Sequence, residues 1–410
     1  MKVIHITTVP FTLRFHRGHI RFSKSKGVEI HAISSPGDAL GSLDEVGRHE
    51  GISVHPVSME RRISPVKDVV SLWHLWRILM REQPDIVHSH TPKAALLGAV
   101  AARAAGVKVV LLSIFGVRQI TMTGFPRRLL DFTTWLSCKL ADRIWCDSPS
   151  IRDFIVAERL CGSKKIIVLC AGSVAGVDAR KAFSPYEWGI AARQAVREEN
   201  GIPHDAQVVG FVGRIVADKG MRELASAWRR LRDRYPMLHL VLVGPFDATD
   251  PVSAEDEALF RTDGRVHLTG LREDVARYLA GMDVFVLPSY REGFPVVNLE
   301  AAAMALPVVS TRIPGCVDSV RDGVTGTLVP PRHATALADA ITAYLDDPIL
   351  RRQHGQAGRE RVLQEFRPED VWESLYRLYL DLTNGEQTVR VATGDLGARA
   401  TAHGSGRPNR

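Results

Sequence analysis

Long apolar runs are absent from this 410-residue chain: no stretch of eighteen uncharged apolar residues occurs, so the sequence offers no membrane-spanning helix. Cysteine is scarce too. The five thiols (Cys138, Cys146, Cys161, Cys170, Cys316) are odd in number and include no C-x-x-C pair, which argues against a disulfide framework or a zinc ribbon and for a reducing, cytoplasmic setting. The chain does not open with a basic stretch followed by an apolar one. Lys2-Val3-Ile4-His5-Ile6 reads as a strand, so no secretory signal is expected. No G-x-G-x-x-G follows that strand, which counts against a dinucleotide oxidoreductase. The arginines are not interleaved with aromatics in any recognisable nucleic-acid module, so no nucleic-acid partner is expected.

What is present is an ordinary globular composition, 45% hydrophobic and 24% charged, on a chain long enough for two domains. The charge is lopsided. Residues 1–184 hold 26 basic and 15 acidic side chains, a net +11, while residues 185–410 hold 27 and 31, a net −4. The first half should therefore be drawn to a polyanion such as an anionic membrane face or a phosphorylated lipid.

Strand-like apolar runs alternate with amphipathic stretches in both halves. In the first they are Val3 to Ile6, Val28 to Ile33, Ile86 to His88, Val107 to Ile114, Ile144 to Cys146 and Ile166 to Leu169. After a break at Ser184-Pro185 and a polar helical segment to Gly201 come Val208 to Val212, Leu238 to Val243, Val266 to Leu268, Val284 to Leu287, Pro307 to Ser310 and Thr327 to Val329. This β-α-β order implies an α/β fold of two doubly wound parallel-sheet domains, 1–184 and 185–367, with ligand bound where the strands' carboxyl ends face a shared cleft. Residues 368–384 read as a helix returning to the first domain. Residues 386–410 contain no aromatic residue and are read, with Gly385, as a disordered tail.

Two segments of the second half carry phosphate chemistry. Val208 to Val212 ends in Gly213-Arg214, and Lys219-Gly220 precedes a helical stretch, Met221 to Arg232. A strand turning through glycine into a helix presents backbone N–H groups to an anion, and Arg214 with Lys219 adds fixed positive charge suited to a diphosphate. The plainer alternative is a solvated loop with two surface cations. Lys219 is the only lysine among the 27 basic residues after position 184, which favours a position needing a compact point charge. The second segment follows strand Val284 to Leu287: Glu292-Gly293-Phe294-Pro295, then Glu300 within an alanine-rich helix. This spacing sets one carboxylate at a strand's carboxyl edge and another early in the next helix, where dipole stabilisation alone is a sufficient bland reading of Glu300.

Taken together, Gly213-Arg214, Lys219-Gly220, Glu292-x7-Glu300, Pro314-Gly-Cys-Val-Asp318 and Asp322-Gly-Val-Thr-Gly326 resemble the retaining family 4 glycosyltransferases of the GT-B fold. His5-Ile-Thr-Thr-Val-Pro and Asp85-Ile-Val-His-Ser-His-Thr-Pro-Lys93 resemble members that build capsule, exopolysaccharide or O-antigen units. The resemblance implies a donor-binding second domain in which Arg214 and Lys219 neutralise a nucleotide-sugar diphosphate. It also implies that Glu300 meets the ribose, and that Glu292 and the Gly293-Phe294-Pro295 backbone meet the sugar. His90, with His88 as the alternative, is the match for an active-site histidine. No metal and no cofactor are implied: there is no well-placed D-x-D, and Asp247-Ala-Thr-Asp250 and Asp346-Asp347 look like turn and helix-end residues.

This sequence departs from the pattern in its glycine-poor first loop, Thr8 to Gly18, where Arg14 is a possible substitute for backbone contacts, and at Phe115, where some relatives carry a polar side chain. The implied reaction is sugar transfer from a nucleotide diphosphate, UDP for preference, to a polyprenyl-diphosphate saccharide. The enzyme would be cytoplasmic and held peripherally to the anionic inner membrane face. A nucleotide-sugar-binding subunit that needs a partner is the alternative. Leu72, Trp73, Leu75, Trp76 and Leu79 form one apolar stripe with Lys67, Arg77 and Arg81 nearby, and Phe125 to Leu136 form a second; either suits a membrane surface or packing on the protein's own sheet.

Overall fold

The computed structural model describes residues 1–38, 41–60 and 62–385; the tail expected over 386–410 lies outside them. The first domain runs β1 (Lys2–Ile6), α1 (Arg17–Ser25), β2 (Glu29–Ser34), a short ribbon of β3 (Gly37–Asp38) and β4 (Gly41–Ser42), and α2 (Leu43–Glu50). It continues through β5 (Ser53–Pro56), α3 (Pro65–Glu82), β6 (Ile86–Ser89), α4 (Pro92–Ala104), β7 (Val109–Ile114), α5 (Gly124–Leu140), β8 (Arg143–Cys146), α6 (Pro149–Ala157) and β9 (Ile166–Val168). The second runs α7 (Pro185–Glu199), β10 (Gln207–Val212), α8 (Met221–Arg234), β11 (Leu238–Val243), α9 (Ala254–Thr262), β12 (Val266–Gly270), α10 (Val275–Ala280) and β13 (Val284–Leu287). Then come α11 (Val296–Ala303), β14 (Val308–Thr311), α12 (Cys316–Ser319), β15 (Gly326–Val329), α13 (Ala334–Asp346), α14 (Pro348–Glu365) and α15 (Pro368–Asn384).

Seven strands form one sheet in the order β5-β2-β1-β6-β7-β8-β9, and six form another in the order β12-β11-β10-β13-β14-β15. All of these pairings are parallel. Parallel strands covered by helices on both faces are apolar on both faces, which is why their sequences read as continuous hydrophobic runs. β5 is the strand that sequence pattern missed: it is an edge strand, half exposed, and Ser53-Val54-His55-Pro56 has too few apolar residues to signal one. In each sheet the chain order reverses beside the first strand, between β1 and β6 and between β10 and β13. Ligand crevices form at such reversals, and there stand His90, Gly213-Arg214 and the loop after Leu287.

α15 crosses back onto the first domain. Its Val371, Leu375, Leu378 and Tyr379 share one core with Val3, Ile20, Ile86 and Trp145. The crossing chain passes so close to Gly176 that a Cβ there would lie 2.7 Å from the Phe366 carbonyl oxygen.

The single apolar stripe expected on α3 is corrected. Leu75 and Leu79 are buried on the sheet, whereas Trp73 is 48% and Trp76 37% exposed. Adjacent positions on a helix are about 100° apart, so leucine and tryptophan at neighbouring positions face different ways. On α5, Phe125, Phe132 and Trp135 are exposed as well. Phe132 stacks on Trp135 at 5.9 Å; Lys139 lies 5.1 Å over that indole and Arg77 lies 5.4 Å over Trp73. No helix among the described residues is long and apolar enough to cross a membrane.

Candidate active site

The turn Ala217–Lys219 ends at Gly220, which takes the left-handed conformation with φ 72°. A Cβ at Gly220 would sit 2.0 Å from the Pro288 carbonyl oxygen, so glycine brings the start of α8 against the end of β13. The two loops are then stitched together. Tyr290 N–H donates to the Asp218 carbonyl at 2.9 Å, Arg291 pairs with Asp218, and Lys219 Nζ pairs with Glu292 Oε1. Lys219 and Glu292 are both largely buried.

Arg214 lies apart from that pair. Its Nη1 donates to Asp247 Oδ2 at 2.7 Å and its side chain is 56% exposed. Hydrogen bonds from Thr249 and then from Arg214 hold the Asp247 carboxyl down at about 2. Glu300, in α11, is half-buried and has no ion-pair or hydrogen-bond partner among the described residues; burial pushes its carboxyl up to about 7. Pro295 caps α11. The Phe294 ring is buried, 5.6 Å from Phe366. Cys316 sits behind Glu292, its thiol pushed up to about 12 by burial first and by the Glu292 charge second.

Glycines let the two domains touch at the floor of the cleft. A Cβ on Gly293 would lie 2.6 Å from both Gly116 N and Asp147 Oδ2, and one on Gly315 would lie 1.9 Å from the Gly293 carbonyl oxygen. Asp147, one residue beyond β8, is fully enclosed with Oδ1 unpartnered. Burial raises its carboxyl well above the usual range, and the charges of Asp318 and Glu292 raise it further. Nearby, Ser150 Oγ meets Asp318, Ser150 N–H donates to the same carboxylate at 3.1 Å, and Gly315 N–H donates to Ser150 Oγ at 2.7 Å. Sequence reasoning missed Asp147, though its signal was that of Glu292: an acid at the carboxyl edge of an apolar strand.

The histidines are placed differently from the carboxylates. His90 and His88 are both enclosed; each has one ring nitrogen on Ser113 Oγ, and His90 Nε2 lies 2.7 Å from His5 Nδ1. Phe115 stacks beside His90 at 6.2 Å between centroids. Arg14, in the first loop, lies 3.8 Å from Glu273 of the second domain, and the two line a cavity of about 230 Å³ with Arg17 and His49.

Two sheets facing across a cleft, with a lysine–carboxylate pair and a helix start at its edge, make a two-domain α/β protein with a candidate ligand site between its domains. Comparison with known proteins makes the class specific. Residues 24–172 match the "Glycosyl transferase 4-like domain" and residues 206–347 the "Glycosyl transferases group 1" family. Over 378 residues the chain is 30% identical to the capsular polysaccharide biosynthesis glycosyltransferase CapM of Staphylococcus aureus, covering 92% of this chain and 96% of that protein. It is 27% identical over 325 residues to the UDP-Gal:alpha-D-GlcNAc-diphosphoundecaprenol alpha-1,3-galactosyltransferase of Escherichia coli, covering 78% and 82%. The fold matches Anabaena HepE, solved in complex with UDP and glucose, with a TM-score of 0.75 at 17% identity over 92% of this chain and 99% of that one. The chain belongs to the group 1, family 4-like glycosyltransferases and has their GT-B fold.

Proposed function

We propose that this enzyme transfers a sugar from UDP to a saccharide carried on polyprenyl diphosphate, with retention at the anomeric carbon, in the assembly of a surface polysaccharide. The observation that carries the reading is the Lys219–Glu292 pair held at the mouth of α11, with Glu300 unpartnered on the same helix. In the donor complex Lys219 exchanges Glu292 for the diphosphate, and Arg214 swings from Asp247 to join it. Two fixed cations then stabilise the charge that grows on the departing diphosphate. Glu300 accepts ribose hydroxyl protons. Glu292, released from Lys219, and the Gly293-Phe294-Pro295 backbone hold the hexose, while the departing phosphate takes the proton of the acceptor hydroxyl. Turnover needs no added metal, because the cations do that work. His90, enclosed and bonded at both nitrogens, is left out of this sequence of steps.

The names of the CapM and E. coli relatives, the latter with a UDP-sugar donor and a diphosphoundecaprenol acceptor, support the polysaccharide and acceptor parts of the reading. The exposed Trp73, Trp76, Phe132 and Trp135 with their companion cations support attachment to an anionic membrane face.

The test is incubation of the purified chain with a panel of UDP-sugars and a polyprenyl-diphosphate saccharide, with the product read by NMR. Transfer with an unchanged anomeric configuration, insensitive to chelator, is the expected result. An inverted product, or a divalent-ion requirement for turnover in chelated protein that is still fully folded, overturns the mechanism. Hydrolysis of the UDP-sugar by the purified chain would exclude a binding subunit dependent on a partner.

A further inference from the structure

The first domain buries five histidines in one knot beneath the carboxyl ends of β1 and β6. His5, His16, His19, His88 and His90 are each at most 4% exposed. A buried imidazole is ordinarily satisfied by hydrogen bonds, yet His5 Nε2, both nitrogens of His16 and His19 Nδ1 have no partner among the described residues, and neither has Trp145 Nε1. His16 and His5 are 5.9 Å apart between ring centroids, and His16 and Trp145 are 6.3 Å apart. The knot is short of polar partners, and its rings lie close together.

Three of the rings are disposed as ligands. One nitrogen each of His5, His88 and His90 lies within 4.8 Å of the others. The His5–His90 and His5–His88 ring centroids are 5.0 and 5.4 Å apart, near the roughly 5 Å of imidazoles bound to one tetrahedral ion at about 2.0–2.1 Å, while His88 and His90 are closer, at 4.1 Å, and open slightly on binding. The outer nitrogens already have the hydroxyl partners that fix a ligating histidine: His88 Nδ1 is 2.7 Å from Tyr379 OH and His90 Nδ1 is 3.1 Å from Ser113 Oγ.

We propose that His5, His88 and His90 form a buried site for a tetrahedral divalent cation, zinc by ligand type. Three neutral imidazoles without a thiolate in the set suit a borderline metal of this kind. On binding, the 2.7 Å contact between His5 Nδ1 and His90 Nε2 and the 2.7 Å contact between His88 Nε2 and Ser113 Oγ give way to the ion. Each ring keeps its single proton on the nitrogen that faces away: His88 donates to Tyr379, His90 to Ser113, and His5 through Nε2 to a water. Another water fills the fourth position. The ion ties β1 to β6 and, through Tyr379, to the returning helix α15, so its role is structural.

A second trio, His31, His55 and Glu82, has comparable spacing, but Lys2 Nζ lies 3.5 Å from Glu82 and Arg81 Nη2 lies 3.3 Å from His55. Cations there repel an ion, and the trio serves as a control.

The experiment uses the untagged full chain, with zinc read by elemental analysis after dialysis and Co²⁺ titration read by visible ligand-field bands. Expected are one equivalent of zinc per chain, a tetrahedral cobalt spectrum and a higher Tm with zinc. His5→Gln and His88→Gln lose the bound equivalent, His55→Gln keeps it, and Tyr379→Phe weakens Co²⁺ binding by about 10- to 100-fold. Wild-type protein with neither zinc nor a tetrahedral cobalt spectrum overturns the proposal without recourse to any variant. So does a metal stoichiometry that survives His5→Gln in folded protein, or one that is lost in His55→Gln instead.

Discussion

Lys219 and Glu292 stand 73 positions apart in the sequence, and their side chains close on each other where two loops of the second domain meet. Each neutralises the other, so in the proposed mechanism the cation would reach a diphosphate only by leaving the carboxylate. Removing it with Lys219→Ala should lower kcat by about 10²–10³, the usual cost of one transition-state charge donor. Lys219→Arg should restore only part of this, since the planar guanidinium does not replace a point charge in a tight loop. Steady-state kinetics on the transfer reaction check both.

With Glu300 on the ribose, as proposed, donor binding should depend on pH. Its carboxyl titrates at about 7 in the free enzyme because burial penalises the charged form, and only the ionised form accepts two ribose hydroxyl protons. Donor kcat/KM should therefore rise with pH through about 7 and become flat and low in Glu300→Gln. Stability should move the other way. A folded-state value raised above the unfolded one gives stability that is present at low pH and lost as pH rises through the folded value. Glu300→Gln should accordingly gain Tm over wild type at pH 8 and little at pH 5, as thermal unfolding at the two values would reveal.

Gly315 has φ 81°, and a Cβ there would collide with the Gly293 carbonyl oxygen at 1.9 Å. Gly315→Ala should destabilise by about 1–3 kcal/mol from backbone strain alone. It should also slow turnover, because relief of the collision displaces the Glu292–Gly293 loop. Full activity with unchanged Tm would contradict the close packing of these loops.

Membrane attachment through the basic first domain should weaken as salt rises, since the charges are exposed and screened. Co-sedimentation with anionic vesicles should fall between low and high salt. It should fall further in Trp76→Ser/Trp135→Ser, whose side chains lie on the exposed faces of α3 and α5. Recovery unaffected by salt would count against charge-driven attachment.

Much of this was legible in the chain. Twelve of the thirteen strands of the two large sheets were marked by apolar runs, because a parallel strand buried on both faces must be apolar throughout; β5, half exposed at an edge, was not. Gly213-Arg214, Lys219-Gly220 and Glu292-Gly293 stand out as candidates because the turn, the charge and the helix start are contiguous in sequence. The tryptophans of α3 were misplaced because an apolar stripe does not say which of its residues meets the sheet.

The sequence by itself determined the alternation of elements and the presence of two parallel-sheet α/β domains, which depend on neighbours within a few residues. Tertiary structure alone decided that Asp147 abuts Gly293, that Ser150 is held by Asp318 168 positions away, and that His88 finds Tyr379 291 positions away. Such pairs depend on strand order, on which face of a sheet a helix covers and on how closely two backbones approach where a side chain is missing. Those are set by the packing of the whole molecule.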